Sequence, residues 1–303
     1  MDVVAGRIIS GELGGLAAER HLRDLRDGPA RGLHFDIASA SRALGFFPAV
    51  LSITAGAMEG QPFHPLPWHT FTIGSLFGWK KESGRLRFRQ AWLETGKGQA
   101  KSPLMAAIGL YMMGWHGVRR SEIYAIGQDR ATANVLFKDA VAMCRANMPE
   151  TPEDETDSLV SRGEVLIRGE GDNAWKIEHP ETESKFQALA NGEAISGPRP
   201  TLVTADEIHE FKAATSIETW RRAIAKMPGD ASLFRAVMSR VSRPSRLRPW
   251  IARPAAGRPR GYGAATILAG SRWASSSRAR PCMRMRWPQR RRRGLRRAVT
   301  GAA

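Results

Sequence analysis

Seven consecutive residues, Gly96, Lys97, Gly98, Gln99, Ala100, Lys101 and Ser102, place two glycines, two lysines and a hydroxyl between two patterned segments. Before them runs a β-type stretch, Phe88 to Leu93; after them comes an apolar segment with helical spacing, Leu104 to Trp115. Strand, glycine-rich turn, Lys-Ser, helix is the layout of a loop whose backbone N–H groups cradle phosphate. The dipole of the following helix favours negative charge at the same point. The strict pattern G-x-x-x-x-G-K-[ST] is not met, because Thr95 and Ala100 stand where its glycines belong. Alone, this stretch is as well described as a plain strand–turn–helix with a solvent lysine.

A second cluster lies 105 residues beyond Lys101. Thr201-Leu-Val-Thr-Ala is a hydrophobic run that ends on the adjacent carboxylates Asp206 and Glu207. One ordinary account is an aspartate capping the next helix. The chemical account pairs the two clusters. Asp206 and Ser102 would share the shell of a Mg²⁺ ion, and Lys101 would neutralise the β/γ-phosphates as a point charge. Glu207 would act as general base on the water that attacks the γ-phosphate. In such proteins the carboxylate strand is expected beside the phosphate-loop strand. A lysine-serine loop after one strand and an Asp-Glu pair after another favour this nucleotide chemistry over two coincidences.

Trp68 and His69 open a third candidate. They follow three prolines (Pro62, Pro65 and Pro67), which hold the entry extended, and they begin an aromatic run that reads as a helix ending near Gly78. The run is either aromatic core or a nucleobase pocket, with a ring stacking on a purine and a polar neighbour reading its edge.

The elements that must position these residues follow from periodicity. Residues 1–27 have an amphipathic pattern of one or two helices, and Phe35 to Met58 continues as helix on Ile37, Ala40, Leu44, Phe47, Val50 and Leu51. Together these form an N-terminal helical segment, residues 1–60, over a sheet. Glu122 to Gly127 is a second strand, and Asp129 to Asn147 a helix with Ala133, Leu136, Phe137, Ala140, Val141 and Cys144 inward. Met148 to Ser158 is an acidic surface loop, and Glu164–Arg168 with Ala174–Glu178 bracket a hairpin turn. Strands alternating with helices predict an α/β fold with a parallel-rich central sheet flanked by helices, spanning 61–230.

Composition divides the chain in two. From Ala236 to Ala303 there are 18 Arg and no Lys, Asp or Glu. The whole chain carries +17, so taking away +18 leaves −1 for residues 1–235. The basic character belongs to the tail alone. Cys144 and Cys282 lie on opposite sides of this break, outside any metal-type spacing, which fits a reducing cytoplasm. No stretch reaches the roughly 20 apolar residues of a membrane span, and the N-terminus lacks the regions of a signal peptide. A soluble chain without a membrane partner is expected.

At this point the sequence resembles a known family, the large terminase subunit of tailed bacteriophages. The resemblance runs from about Ala5 to Asp230. Its blocks are Gly6-Arg-Ile-Ile, Arg20-His-Leu-Arg-Asp-Leu25, Trp68-His-Thr-Phe, Leu76-Phe-Gly-Trp-Lys80 and the phosphate-loop stretch itself. Ala131-Thr-Ala-Asn-Val-Leu-Phe137, Leu202-Val-Thr-Ala-Asp-Glu-Ile-His-Glu210 and Lys226-Met-Pro-Gly-Asp230 complete it. The resemblance implies a Mg²⁺-dependent ATPase that drives viral double-stranded DNA into a capsid. It also implies a terminase small subunit and a portal protein as partners, a homo-oligomeric ring, and a phage- or prophage-encoded chain in the bacterial cytoplasm. Lys101, Ser102, Asp206 and Glu207 would hold the roles given above, and Lys97 falls where the family often has a basic residue reaching toward phosphate. Two positions depart from the family. His69 replaces a glutamine that reads adenine, and Ala100 replaces a glycine, putting a methyl group where φ is expected to be positive, at about 1 kcal/mol or more.

The tail departs further. The family continues into a nuclease domain, which needs several carboxylates for its two metals, and residues 231–303 contain none. No nuclease activity is expected of this stretch. It is either an arginine-rich arm gripping DNA phosphates, densest at Arg290–Arg293, or out-of-frame translation of a GC-rich gene that is disordered in the protein. The second fits the absence of lysine better. The functional expectation is a terminase-type ATPase missing its nuclease. The alternative is an inactive phage remnant that binds nucleic acid nonspecifically through the tail, and a helicase-like P-loop ATPase is disfavoured by the N-terminal blocks.

Overall fold

The computed structural model describes residues 2–8, 10–89, 91–95, 98–127, 130–189, 200–206 and 234–240. Helix α1 (Glu12–Asp27) precedes a two-stranded antiparallel sheet of β1 (Leu33–Phe35) and β2 (Trp79–Lys81). Between those strands lie α2 (Ile37–Val50) and α3 (Pro67–Gly78), which pack on each other. Asp36 caps α2 by accepting the Ser39 N–H at 3.0 Å. The helical pattern that extends to Met58 in the sequence stops at Val50. Leu51 is extended, and Ile53 pairs with Gln61 instead, so the apolar residues past 50 serve a turn-back and not another helical turn.

Helix α1 is fastened to the core through one buried carboxylate. Asp24 receives the guanidinium groups of Arg31 and Arg87, the latter at 2.5 Å. Burial pushes the Asp24 carboxyl up, and the two arginines more than offset this, holding it below the usual range. Arg87 belongs to the lead into the next strand, so the N-terminal helix is tied to the approach of the phosphate loop.

That strand, β3 (Ala91–Thr95), starts later than the Phe88 onset read from the sequence. The residues before it are committed elsewhere: Leu86 bridges to Lys80, and the Arg87 N–H donates to the Trp79 carbonyl. Helix α4 (Lys101–Leu110) runs on into a π-helical turn, Tyr111–Trp115. Its Leu104 to Leu110 stretch is buried on every side, the mark of a helix enclosed between layers. Gly109 permits the closest contact, since a Cβ there would stand 2.6 Å from the Phe186 ring. After β4 (Glu122–Ile126) comes α5 (Arg130–Arg145), with Ala133, Leu136, Phe137, Ala140, Val141 and Cys144 all buried, as the periodicity predicts.

The remaining strands are β5 (Leu166–Arg168), β6 (Lys176–His179), β7 (Ser184–Leu189), β8 (Leu202–Ala205) and β9 (Phe234–Arg240). The central sheet has the order β3-β9-β8-β4-β7-β6-β5, parallel from β3 through β7 and antiparallel over the β5–β6 edge. This is the expected mixed α/β fold with a parallel-rich sheet. Two expectations fail. The carboxylate strand β8 does not lie beside β3, because β9 stands between them. Residues 234–240, assigned by composition to the tail, are that intervening strand; the segment Phe-Arg-Ala-Val-Met-Ser-Arg is apolar at four of seven positions. Tail residues 241–303 and the Lys226–Asp230 block lie outside the described residues. Among the described residues no helix is long and apolar enough to cross a membrane.

Candidate functional site

The loop after β3 turns through Gly98, at φ 77°, and Ala100, at φ 52° and ψ 39°, before entering α4. Both are left-handed backbone. Glycine takes this region freely, whereas a Cβ makes it unfavourable by about 1 kcal/mol or more. Ala100 therefore holds the conformation expected of the residue it replaces, with the strain that an alanine brings. Gly98 and Gln99 are exposed, and the N-cap residue Ala100 makes no side-chain cap to α4. Its leading N–H groups keep the arrangement that receives an anion.

Lys101 occupies the first helical position and is only 8% exposed. Ser102 follows, and its Oγ donates to Asp206 Oδ2 at 2.8 Å. Asp206 is 6% exposed, one residue past β8, and its N–H reaches the Ile126 carbonyl at 3.3 Å. The two sequence clusters, separated by over a hundred residues, thus meet at the carboxyl ends of parallel strands. That is where open α/β sheets place their ligands.

Asp139, on α5, is a carboxylate that the sequence did not single out. Burial pushes it up to about 6, and the Asp206 charge adds to the shift. Its position between Lys138 and Ala140 on an ordinary amphipathic helix carries no signal of this. The packing of α5 against α4 and the sheet accompanies its electrostatic coupling to Asp206.

The base side is built differently. Pro67 begins α3, where a missing N–H does no harm, and His69 at the third position turns back to the start of the helix. Its Nδ1 accepts the Leu66 N–H at 3.2 Å, half of a capping box. Trp68 and His69 are 4% and 1% exposed, with ring centroids 4.1 Å apart. Burial pushes the His69 imidazole down to about 4, with the neighbouring Gln99 backbone opposing the shift. That neighbour places the ring against the phosphate loop. The Gln99 backbone faces the His69 Nε2–H, whereas Trp68 Nε1 and, two turns along α3, Ser75 Oγ are buried without a hydrogen-bond partner. Each such group costs about 1–3 kcal/mol, and native structures rarely leave one without a reason.

Of the residues picked from sequence, Gly98, Gln99, Ala100, Lys101, Ser102 and Asp206 line one loop and one strand end, with Trp68 and His69 adjoining through Gln99. Gly96, Lys97 and Glu207 lie outside the described residues.

Residues 67–243 match the family described as Terminase large subunit, ATPase domain. The match passes residue 230, where the resemblance was expected to end, and takes in β9. No curated protein matches the sequence. Among solved structures, the large terminase of bacteriophage HK97 superposes with a TM-score of 0.54 at 19% identity, covering 70% of this chain. The chain spans 40% of that protein's length. A mutant ATPase domain of the large terminase from Thermus phage P74-26 aligns at 10% identity with a TM-score of 0.39, over 61% of this chain and 76% of the other.

Proposed function

Since the chain belongs to the terminase large subunit family through its ATPase domain, we propose that it hydrolyses ATP to move viral double-stranded DNA. The observation that carries this reading is the 2.8 Å bond between Ser102 and Asp206. It joins a hydroxyl in the first turn of α4 to a carboxylate at the end of β8, two strands away from β3. In the proposed roles the N–H groups at the start of α4 receive the phosphates and Lys101 balances their charge. Glu207, by its position directly after Asp206, orients the attacking water and takes its proton. Lys97 supplies a further basic group toward phosphate.

The residues present fit Mg²⁺. Among the described residues no group of three or more His, Cys, Asp or Glu converges, so a site made wholly of protein ligands is not what they form. One hydroxyl and one carboxylate are what Mg²⁺ takes from a protein when phosphate oxygens and water complete its shell. Bound there, the ion would neutralise charge developing on the β- and γ-oxygens. A homo-oligomeric ring, a terminase small subunit and a portal protein are the partners that this reading carries, in the bacterial cytoplasm.

The test is the rate of Mg²⁺-dependent ATP hydrolysis by the full chain, with Lys101→Ala and Glu207→Gln beside it. Hydrolysis in the parent that falls at least about a hundredfold in both variants supports the proposal. A parent without hydrolysis overturns it in favour of an inert remnant. DNA binding that then vanishes on deleting 241–303 would locate the remaining activity in the tail. The deletion starts after Arg240 because β9 belongs to the sheet.

A further inference from the structure

Four hydrogen-bond donors gather at the far end of α4 with no acceptor of their own. Tyr111 begins the π-helical turn that continues α4, and His116 follows that turn. Their ring centroids are 5.7 Å apart, and the Phe77 ring stands against both, at 4.9 and 5.4 Å. Arg42 of α2 and Lys80 of β2 complete the group. The Arg42 charge acts on Tyr111, His116 and Lys80, and the Lys80 charge acts on His116. Tyr111 is only 2% exposed. Among the described residues no hydrogen bond or ion pair reaches its hydroxyl, the His116 ring, or the head groups of Arg42 and Lys80. Burial, with both cations adding to it, pushes the imidazole down to about 4, so near pH 7 it is neutral and presents one N–H.

The negative groups nearby do not use these hydrogens. Asp36 faces Lys80, but its oxygens take the Ser39 N–H and hydroxyl at the cap of α2. The carbonyl end of the π turn carries about half a negative charge, and the His116 backbone N–H already bonds the Tyr111 carbonyl. Two whole cations and two neutral donors remain to be matched. An oxyanion matches them with one group, since every one of its oxygens accepts. Arg42 is exposed, and Lys80 and His116 are half-buried, so an anion reaches the group from solvent.

We propose that Arg42, Lys80, Tyr111 and His116 form a binding site for a phosphate-type oxyanion, about 20 Å from the phosphate loop at the opposite end of α4. The site stands apart from the nucleotide reading and does not depend on it. Two sources present the same chemistry: free inorganic phosphate and a phosphate of a DNA backbone.

The assigned His116 ring resonance of the full chain, followed by NMR as inorganic phosphate or a short DNA duplex is added, tests it. Phosphate bound here is expected to move that resonance with a Kd of about 1 mM or tighter. It should also strengthen proton binding to the ring by about tenfold. Arg42→Gln and Lys80→Gln should each weaken the response about tenfold. Arg42→Gln, at an exposed position, carries the test if Lys80→Gln loses its fold. DNA that moves the resonance, with the log–log salt slope of its binding lowered by about one in each variant, makes the backbone phosphate the ligand. Phosphate that moves it where DNA does not makes the ligand the free ion. A His116 resonance that stays still under both additions overturns the proposal, as does a response that both variants keep in full.

Discussion

The two ends of the site, the phosphate loop and the start of α3, handle their polar groups in opposite ways. At the loop, Ser102 and Asp206 are bonded to each other, and the N-cap residue Ala100 makes no side-chain cap. The chain itself sets that geometry. At α3, burial comes first: Trp68 and His69 are closed off from water, and Trp68 Nε1 has no hydrogen-bond partner. The loop end is held by a bond within the chain, whereas the α3 end is held by packing. Preorganised groups act on rate, because they need no rearrangement as charge develops.

The largest expected effect attacks the organised end. Ser102→Ala leaves Asp206 without its hydroxyl partner and should lower Mg²⁺-dependent hydrolysis by a hundredfold or more, roughly. Binding of a nucleotide base should change far less. A rate assay beside a binding isotherm separates the two, and equal losses in both would erase the distinction between the ends.

Acidity divides the ends next, with opposite signs. His69 is held down to about 4 from an unfolded value of 6.5. As pH falls through that window the unfolded chain binds the proton first, so stability is lost, on the order of 2 kcal/mol for this ring. Asp139 is raised from 3.8 to about 6. Its folded form binds the proton first, so its contribution is complete below about 4 and is lost as pH rises through about 6. An NMR titration should place the His69 ring near 4, and a value near 6.5 would show that it is exposed. Asp139→Asn removes the repulsion with Asp206 and should stabilise the protein at pH 8 by about 1 kcal/mol after allowing for solvent screening. The same variant should be neutral at pH 4. Urea midpoints at the two pH values check both halves.

The smallest effect concerns the strain stored at the organised end. Ala100→Gly relieves a left-handed φ worth about 1 kcal/mol but loosens the unfolded chain by about 0.5 kcal/mol. A net gain of about 0.5 kcal/mol is expected, read from the melting temperature. A loss instead would mean that the alanine methyl packs usefully against the loop.

Much of this was legible in the sequence, for reasons that residues make plain. Ser102 and Asp206 were paired from type and order, since the carboxyl ends of parallel strands share one edge. Ala100 announced its positive φ by standing in a glycine's place. Helix α5 was readable face by face from its spacing. Strand order was not. Nothing local in Thr201 to Ala205 says that a further strand will wedge between it and β3, and the arginine count of the tail hid Phe234–Arg240. The proximity of Asp139 to Asp206 escaped for a related reason, because it depends on how α5 packs on the sheet whose strand end carries Asp206. The locked tautomer of His69 also needed coordinates, since a helix-capping bond to Leu66 fixes it.

The place of β9 has a consequence for the order in which the protein is made. Among the described residues β3 meets the rest of the central sheet only through β9, and β9 is synthesised more than a hundred residues after the loop it supports. A nascent chain shorter than 240 residues thus holds the phosphate loop and its carboxylate on two pieces of unfinished sheet, each showing an open edge. At about 5–20 residues per second, roughly 7 to 28 seconds separate the making of the loop from the completion of the strand that stands between it and β8. Nucleotide can meet a finished site only after that. Until then the exposed edges are where a chaperone, or another nascent chain, would pair.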